Sequence, residues 1–174
     1  MAVRSAVDLA ADGDDALLAA AVKGSLSWQL MVGGRFADAE RVAVRTAETI
    51  EPSGDVQVQD LSAYGSLLVT AATAAARDDR GAVAGDFLQS ASEVSQRVGS
   101  DRIDYETPFG PSQITMQTVD VNVVTEDYPA ALDAASRMPA SPGLPLAARC
   151  RHLADRACAH ANLGQEEQAL ALLL

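Results

Sequence analysis

At 174 residues the chain is long enough for one compact domain or a short helical array. Its core must be built from small aliphatic side chains, since 48% of residues are hydrophobic but only 4% are aromatic. A formal net charge of −11 repels a phosphate backbone, which excludes direct nucleic-acid contact by this segment. Cys150 and Cys158 are too few for a disulfide framework, and the N-terminal MAVRSAVDLAADGDD lacks the apolar run of a secretion signal. No run approaches the ~18 apolar residues that span a bilayer, so the expectation is a reduced, cytoplasmic protein without membrane contact.

Helical spacing dominates the chain. Val3, Ala6, Val7 and Ala10 predict a short lead-in helix. Ala16, Leu17, Ala20, Ala21 and Gly24 open a longer helix that runs through Trp28 and Leu30 to a stop at Gly33-Gly34. Phe36, Ala39, Val42, Ala43, Thr46, Ala47 and Ile50 predict its partner, which Pro52, Ser53 and Gly54 end. The stripe Leu61, Tyr64, Leu68, Ala71, Ala72 and Ala75 predicts a helix that stops near Asp78-Asp79, and Val83, Ala84, Phe87, Leu88, Ala91 and Val94 predict one that ends at Gly99. Gly99 to Pro111 then reads as a 13-residue connection holding Tyr105 and Phe109. Helical arrays usually connect in about 2–8 residues, so this loop is either functional or a spacer that plugs a gap. After it, Ile114, Val119, Val121 and Val123 are β-branched, but Pro111 suits a helix start. Tyr128, Ala131, Leu132 and Ala135 predict its partner; Leu153, Ala157, Ala161 and Leu163 predict the last long helix, and Glu166 to Leu174 a final one.

The turns share a pattern. GRFADA (34–39), EDYPAA (126–131) and GQEEQA (164–169) each place Ala five positions after a turn residue, and DRGAVA (79–84) follows more loosely. The aligned alanines Ala39, Ala84, Ala131 and Ala169 are 38 to 47 residues apart, longer than the ~34 of a tetratricopeptide repeat. An aromatic after the turn with a small residue at the start of the second helix, as in Phe36 with Ala39 and Tyr128 with Ala131, lets two helices pack closely. The fold expected is all-α: a tetratricopeptide-repeat-like right-handed superhelix of about four helix hairpins and no sheet. It forms a single domain over 1–174, with repeats roughly at 14–52, 57–99, 111–138 and 144–174.

Two segments, GDVQVQDLSAYGSLLVTAATAAARDDR (54–80) and DRIDYETPFGPSQI (101–114), resemble the C-terminal tetratricopeptide-like region of actinobacterial helix-turn-helix transcriptional regulators of the XRE type. The likeness extends over nearly the whole chain, and the Asp-Arg…Tyr…Phe-Gly-Pro motif is its most specific part. The family usually has an aromatic, an Asn and a His where Glu106, Gln113 and Gln117 stand here. The resemblance implies a sensor region separate from its DNA-binding domain.

Chemistry is sparse. Cys150, His152, Cys158 and His160 scatter round one helix at ~100° per residue, so they do not gather into a tetrahedral metal site. There is no nucleophile elbow and no phosphate loop. Asp101, Asp104, Glu106 and Asp120 read as a solvated surface, and Arg102 as a partner of Asp104 or of a ligand carboxylate. No metal, cofactor or catalytic residue is expected, so what remains is binding.

The first helices of a solenoid make its inner face. That face is expected to carry Trp28, Met31, Thr73, Arg77, Gln113, Met116, Asp120, Arg151 and Asn162. Tyr105 and Phe109 are expected to fold the long loop against the start of the third hairpin, placing Gln113 and Asp120 beside Arg77 and Arg151. Those arginines would then meet an acidic group of a peptide, protein or small amphipathic ligand. The alternative is a stand-alone protein–protein scaffold without a small ligand. The apolar Ala169–Leu174 end predicts self-association into a homo-oligomer.

Overall fold

Turn and capping residues divide the chain into its elements. The computed structural model describes residues 2–140 and 142–174. In chain order the elements are α1 (Ala2–Ala11), α2 (Ala16–Val32), α3 (Phe36–Thr49), α4 (Val58–Arg77), α5 (Gly81–Val98), β1 (Arg102–Asp104), β2 (Thr107–Phe109), α6 (Pro111–Val124), α7 (Tyr128–Ser136), α8 (Leu146–Asn162) and α9 (Glu166–Leu173). The described chain is therefore mostly helical.

Local chemistry sets the helix ends. The Asp15 carboxylate accepts the amides of Leu17 and Leu18 at 3.1 and 2.9 Å, which caps α2. The Asp60 side chain accepts the Gln57 amide at 2.9 Å at the start of α4. Gly99 ends α5 in the left-handed conformation, φ 77°. Asp101 caps α6 by accepting from the amide and hydroxyl of Ser112 at 2.9 and 2.6 Å, and it also accepts the Gly143 amide at 2.8 Å. One carboxylate thus ties the start of α6 to the connection between α7 and α8.

Consecutive helices pack as the hairpins α2/α3, α4/α5, α6/α7 and α8/α9, and their first helices touch in series, α2 to α4 to α6 to α8. Small residues allow that closeness. Ala39, Ala84 and Ala131, three of the alanines aligned by the turn pattern, are wholly buried. Where α2 meets α3 the buried Ser27 hydroxyl donates to the Ala39 carbonyl at 2.7 Å. The largest hydrophobic cluster joins Leu61, Leu68 and Val69 of α4, Ala91, Val94 and Val98 of α5, Ile114 of α6, and Phe109.

The expectation of no sheet is corrected. Residues 102–109 form an antiparallel hairpin with Arg102 opposite Phe109, Ile103 opposite Pro108 and Asp104 opposite Thr107. Its two-residue turn, Tyr105-Glu106, holds both residues at positive φ, 50° and 59°, as a type I′ turn requires. The turn carries neither the glycine nor the asparagine that usually marks such a hairpin, and each strand is only three residues long. The hairpin lies on α4, with β2 also touching α6.

Candidate ligand cleft

The site starts from one face of α4. Ser66, Thr70, Thr73 and Arg77 recur at offsets of four, three and four, so they line up on a single helical stripe. On one side of this stripe stand Leu17, Ala21, Gly24 and Trp28 of α2; on the other stands the hairpin. The space between them is a cleft of about 330 Å³. A second cleft of about 260 Å³ continues it, sharing Trp28, Ser66, Thr70, Thr107 and Pro108 and reaching Met31, Thr73, Gln113 and Gln117. Trp28 forms a wall of both and remains 49% exposed.

The hairpin is fixed over the cleft from both ends. At its base the Phe109 ring is buried against α4, and at its tip the Tyr105 hydroxyl meets the Asp15 carboxylate oxygens at 3.1 and 3.3 Å. Arg102 donates in a fork to Asp104, with both contacts at 3.0 Å. The Arg102 hydrogen bonds, followed by a smaller contribution from Ser62, hold the Asp104 carboxyl below its usual range. Burial, followed by the Asp15 hydrogen bond, raises the Tyr105 phenol.

Beyond the second cleft lies a polar lock. Asp120 is buried, its side chain 3% exposed, and it accepts from Arg77 at 3.0 and 3.2 Å, from Arg151 at 2.5 Å and from Gln117 at 2.6 Å. The lock joins α4, α6 and α8, the first helices of three hairpins. Asp155 sits beside it, 3.8 Å from Arg151 Nε. Burial and then the charge of Asp120 push the Asp155 carboxyl up to about 6, against the pull of Arg151 and Arg77. Burial also lowers the His152 imidazole, with the Arg156 charge adding to it, and neither ring nitrogen has a hydrogen-bond partner.

The structure brings Trp28, Met31, Thr73 and Gln113 together in one cleft. It also brings Asp120 beside Arg77 and Arg151, but both guanidiniums are bound to that carboxylate rather than turned to an open groove. Four placements differ from expectation. Met116 is interior, 4% exposed, because α6 is packed on most of its circumference, Gln117 included. Phe109 belongs to the core on α4, not to a groove. Tyr105 reaches back to the cap of α2 rather than to the third hairpin, because the I′ turn points it there. Asn162 is exposed at the end of α8, where its amide donates to the Cys158 carbonyl at 2.9 Å.

Arg102 pairs with Asp104 instead of awaiting a ligand. The carboxylates expected as solvated surface divide: Asp101 is a cap, Asp104 an ion-pair partner and Asp120 a buried hub, while Glu106 is exposed. Cys150 and Cys158 are exposed free thiols, and His160 Nδ1 lies 2.6 Å from Gln165 Oε1. Among the described residues no helix is long and apolar enough to cross a membrane.

Sequence reasoning missed Ser66, Thr70, Gln117, Asp155 and the cleft-facing Thr107 and Pro108. Ser66 and Thr70 were within reach: stepping back from Thr73 by three and then four residues finds both. Comparison of the chain with family models, with curated proteins and with solved structures finds no match.

Proposed function

We propose that the chain is a non-enzymatic binding module: a tetratricopeptide-repeat-like right-handed superhelix whose inner cleft takes a peptide or small amphipathic ligand. We read it as the cytoplasmic sensor part of a transcriptional regulator, with DNA binding left to another domain. The observation that carries this reading is Trp28. An indole left half-open at the shared wall of two clefts, above a stripe of small hydroxyl residues, is the arrangement of a pocket awaiting an apolar group. The sensor reading draws on the lock at Asp120, which couples the helices that line the clefts to α8. A thermal-shift screen of metabolites and short peptides tests it, with Trp28 emission as second readout. A compound that raises the melting temperature and changes the emission supports the cleft; one that raises it without touching the emission moves the site elsewhere.

A second reading, a scaffold that holds a partner protein, is favoured by the exposed Leu170 and Leu173 on α9. A partner protein retained through purification, with no small molecule bound, would select it.

A further inference from the structure

We propose that the cleft between α2, α4 and the hairpin selects an organic cation, a molecule with a flat or apolar body ending in an ammonium or guanidinium group. This rests on the reading of that cleft as a ligand site and assigns the chemistry it takes.

The hydroxyl hydrogens along the cleft are already committed to the backbone. Ser25 donates to the Ala21 carbonyl at 3.2 Å, Ser66 to Ala63 at 2.8 Å and Thr70 to Ser66 at 2.9 Å. In the adjoining cleft Thr73 donates to Val69 at 2.9 Å, and on the hairpin Thr107 donates to Tyr105 at 3.3 Å. A hydroxyl has one hydrogen and two lone pairs. With the hydrogen directed at the backbone, each of these groups offers a ligand only lone pairs. The Tyr105 hydrogen is likewise taken by Asp15. Gln113 Oε1 is buried without a hydrogen-bond partner, which adds an acceptor in need of a donor. Among the lining side chains, Trp28, Gln113 and Gln117 are the ones that keep N–H groups, and the Gln117 amide already donates to Asp120.

Charge points the same way. Glu106 and Asp104 line the cleft, the latter already balanced by Arg102, and Asp15 and Asp60 lie near enough to act on the Tyr105 phenol. Among the described residues lining the two clefts there is no Arg or Lys. The nearby guanidiniums are balanced in place, Arg102 by Asp104, and Arg77 and Arg151 by Asp120 together with Asp155. A carboxylate or phosphate entering here would meet lone pairs and like charge. An ammonium would meet acceptors, carboxylates at the rim and the open face of Trp28, which attracts cations through its ring quadrupole. The sequence-based expectation of an acidic ligand group is thereby reversed, because the arginines it relied on are already paired.

The test uses the single tryptophan as reporter. Phenethylammonium, its neutral acetamide N-acetylphenethylamine, and the carboxylate hydrocinnamate share one apolar body and are titrated against Trp28 emission. Phenethylammonium is expected to saturate the signal at a concentration at least about tenfold below that needed for hydrocinnamate. Its affinity should fall as salt is raised, and Glu106→Gln, on the exposed turn, should weaken it about two- to fivefold. A blocked Phe-Arg dipeptide that binds tighter than phenethylammonium assigns the cation to a peptide side chain; weaker binding assigns it to a free amine. Equal or tighter binding of hydrocinnamate overturns the inference while leaving the cleft as a ligand site. No response to any of the three up to about 10 mM also overturns it, and the thermal-shift screen then decides separately whether the cleft binds anything.

Discussion

Gly65→Ala is the substitution on which the seating of the hairpin can be tested most sharply. Gly65 lies inside α4, where alanine is normally the better residue by about 1 kcal/mol. Here a Cβ would fall 2.1, 2.5 and 2.6 Å from Cζ, Cε2 and Cε1 of Phe109. That ring cannot swing away cheaply, because it is 1% exposed and enclosed by Leu61, Leu68, Val94, Val98 and Ile114. Overpacking a closed core costs about 1–3 kcal/mol and sometimes more, and three contacts this short belong at the upper end. After the helix-propensity gain the net loss is about 2 kcal/mol. For a chain of this size that is a fall in melting temperature of about 4–8 °C.

Gly85→Ala is the control. It lies inside α5, and a Cβ there meets nothing within 4 Å, so it should raise the melting temperature by about 2–4 °C. Adding Phe109→Leu to Gly65→Ala should recover part of the loss, since the two sites share one contact. The assay is thermal and urea unfolding followed by circular dichroism. If Gly65→Ala melts at or above the parent protein, or moves in the same direction as Gly85→Ala, the notch that seats the hairpin is not as described.

Three other perturbations follow from the lock and the chain's last helix. Arg77→Ala removes one of two guanidiniums from the buried Asp120 and is expected to cost about 2–3 kcal/mol in urea unfolding, at or below the low end for a broken buried pair because Arg151 and Gln117 remain; a loss under about 0.5 kcal/mol would refute the lock. Asp155→Asn is a pH test. The folded-state pKa of Asp155 lies above its ordinary 3.8, at about 6, so the folded protein binds this proton more tightly and stability falls as pH rises between those two values. The variant should be more stable than the parent by about 1–3 kcal/mol at neutral pH, with the advantage vanishing as pH falls toward 4. The comparison with the parent is needed because His152, lowered below 6.5, works in the opposite sense, losing stability as pH falls, and Asp104 does the same below 3.8. Sedimentation at high micromolar concentration is expected to show self-association through α9, where Leu173 is 62% exposed, and Leu173→Glu is expected to abolish it.

Helix boundaries were legible because they rest on local signals: the Gly33-Gly34 stop, Phe36 as a start, Gly99 as a left-handed end and Pro111 as a first residue all stand at the ends of elements. The turn alanines were legible for the same reason, and their burial follows from their position after each turn. The nearness of Arg77, Asp120 and Arg151 was read from helical phase. That they satisfy one another was not, because phase gives a shared face but not which groups close the distance. The hairpin escaped notice because its I′ turn is made of Tyr and Glu, and three-residue strands leave no period to count. Met116 was placed wrongly because α6 is packed on most of its circumference, so Ser112, Ile114, Met116, Val119 and Val121 are buried along with Gln117 and Asp120. A helix buried nearly all round has no polar stripe to mark the groove.

A ligand held in the cleft beside Trp28 should travel with the protein through purification. Native mass spectrometry of the protein purified from its own host, run side by side with Ser25→Trp, tests it most directly. Ser25 is exposed on α2 and lines the cleft, so an added indole fills that space without entering the core. A bound small molecule or peptide is expected on the parent chain and missing from Ser25→Trp. A bare mass for both, or the same bound species on both, would contradict it.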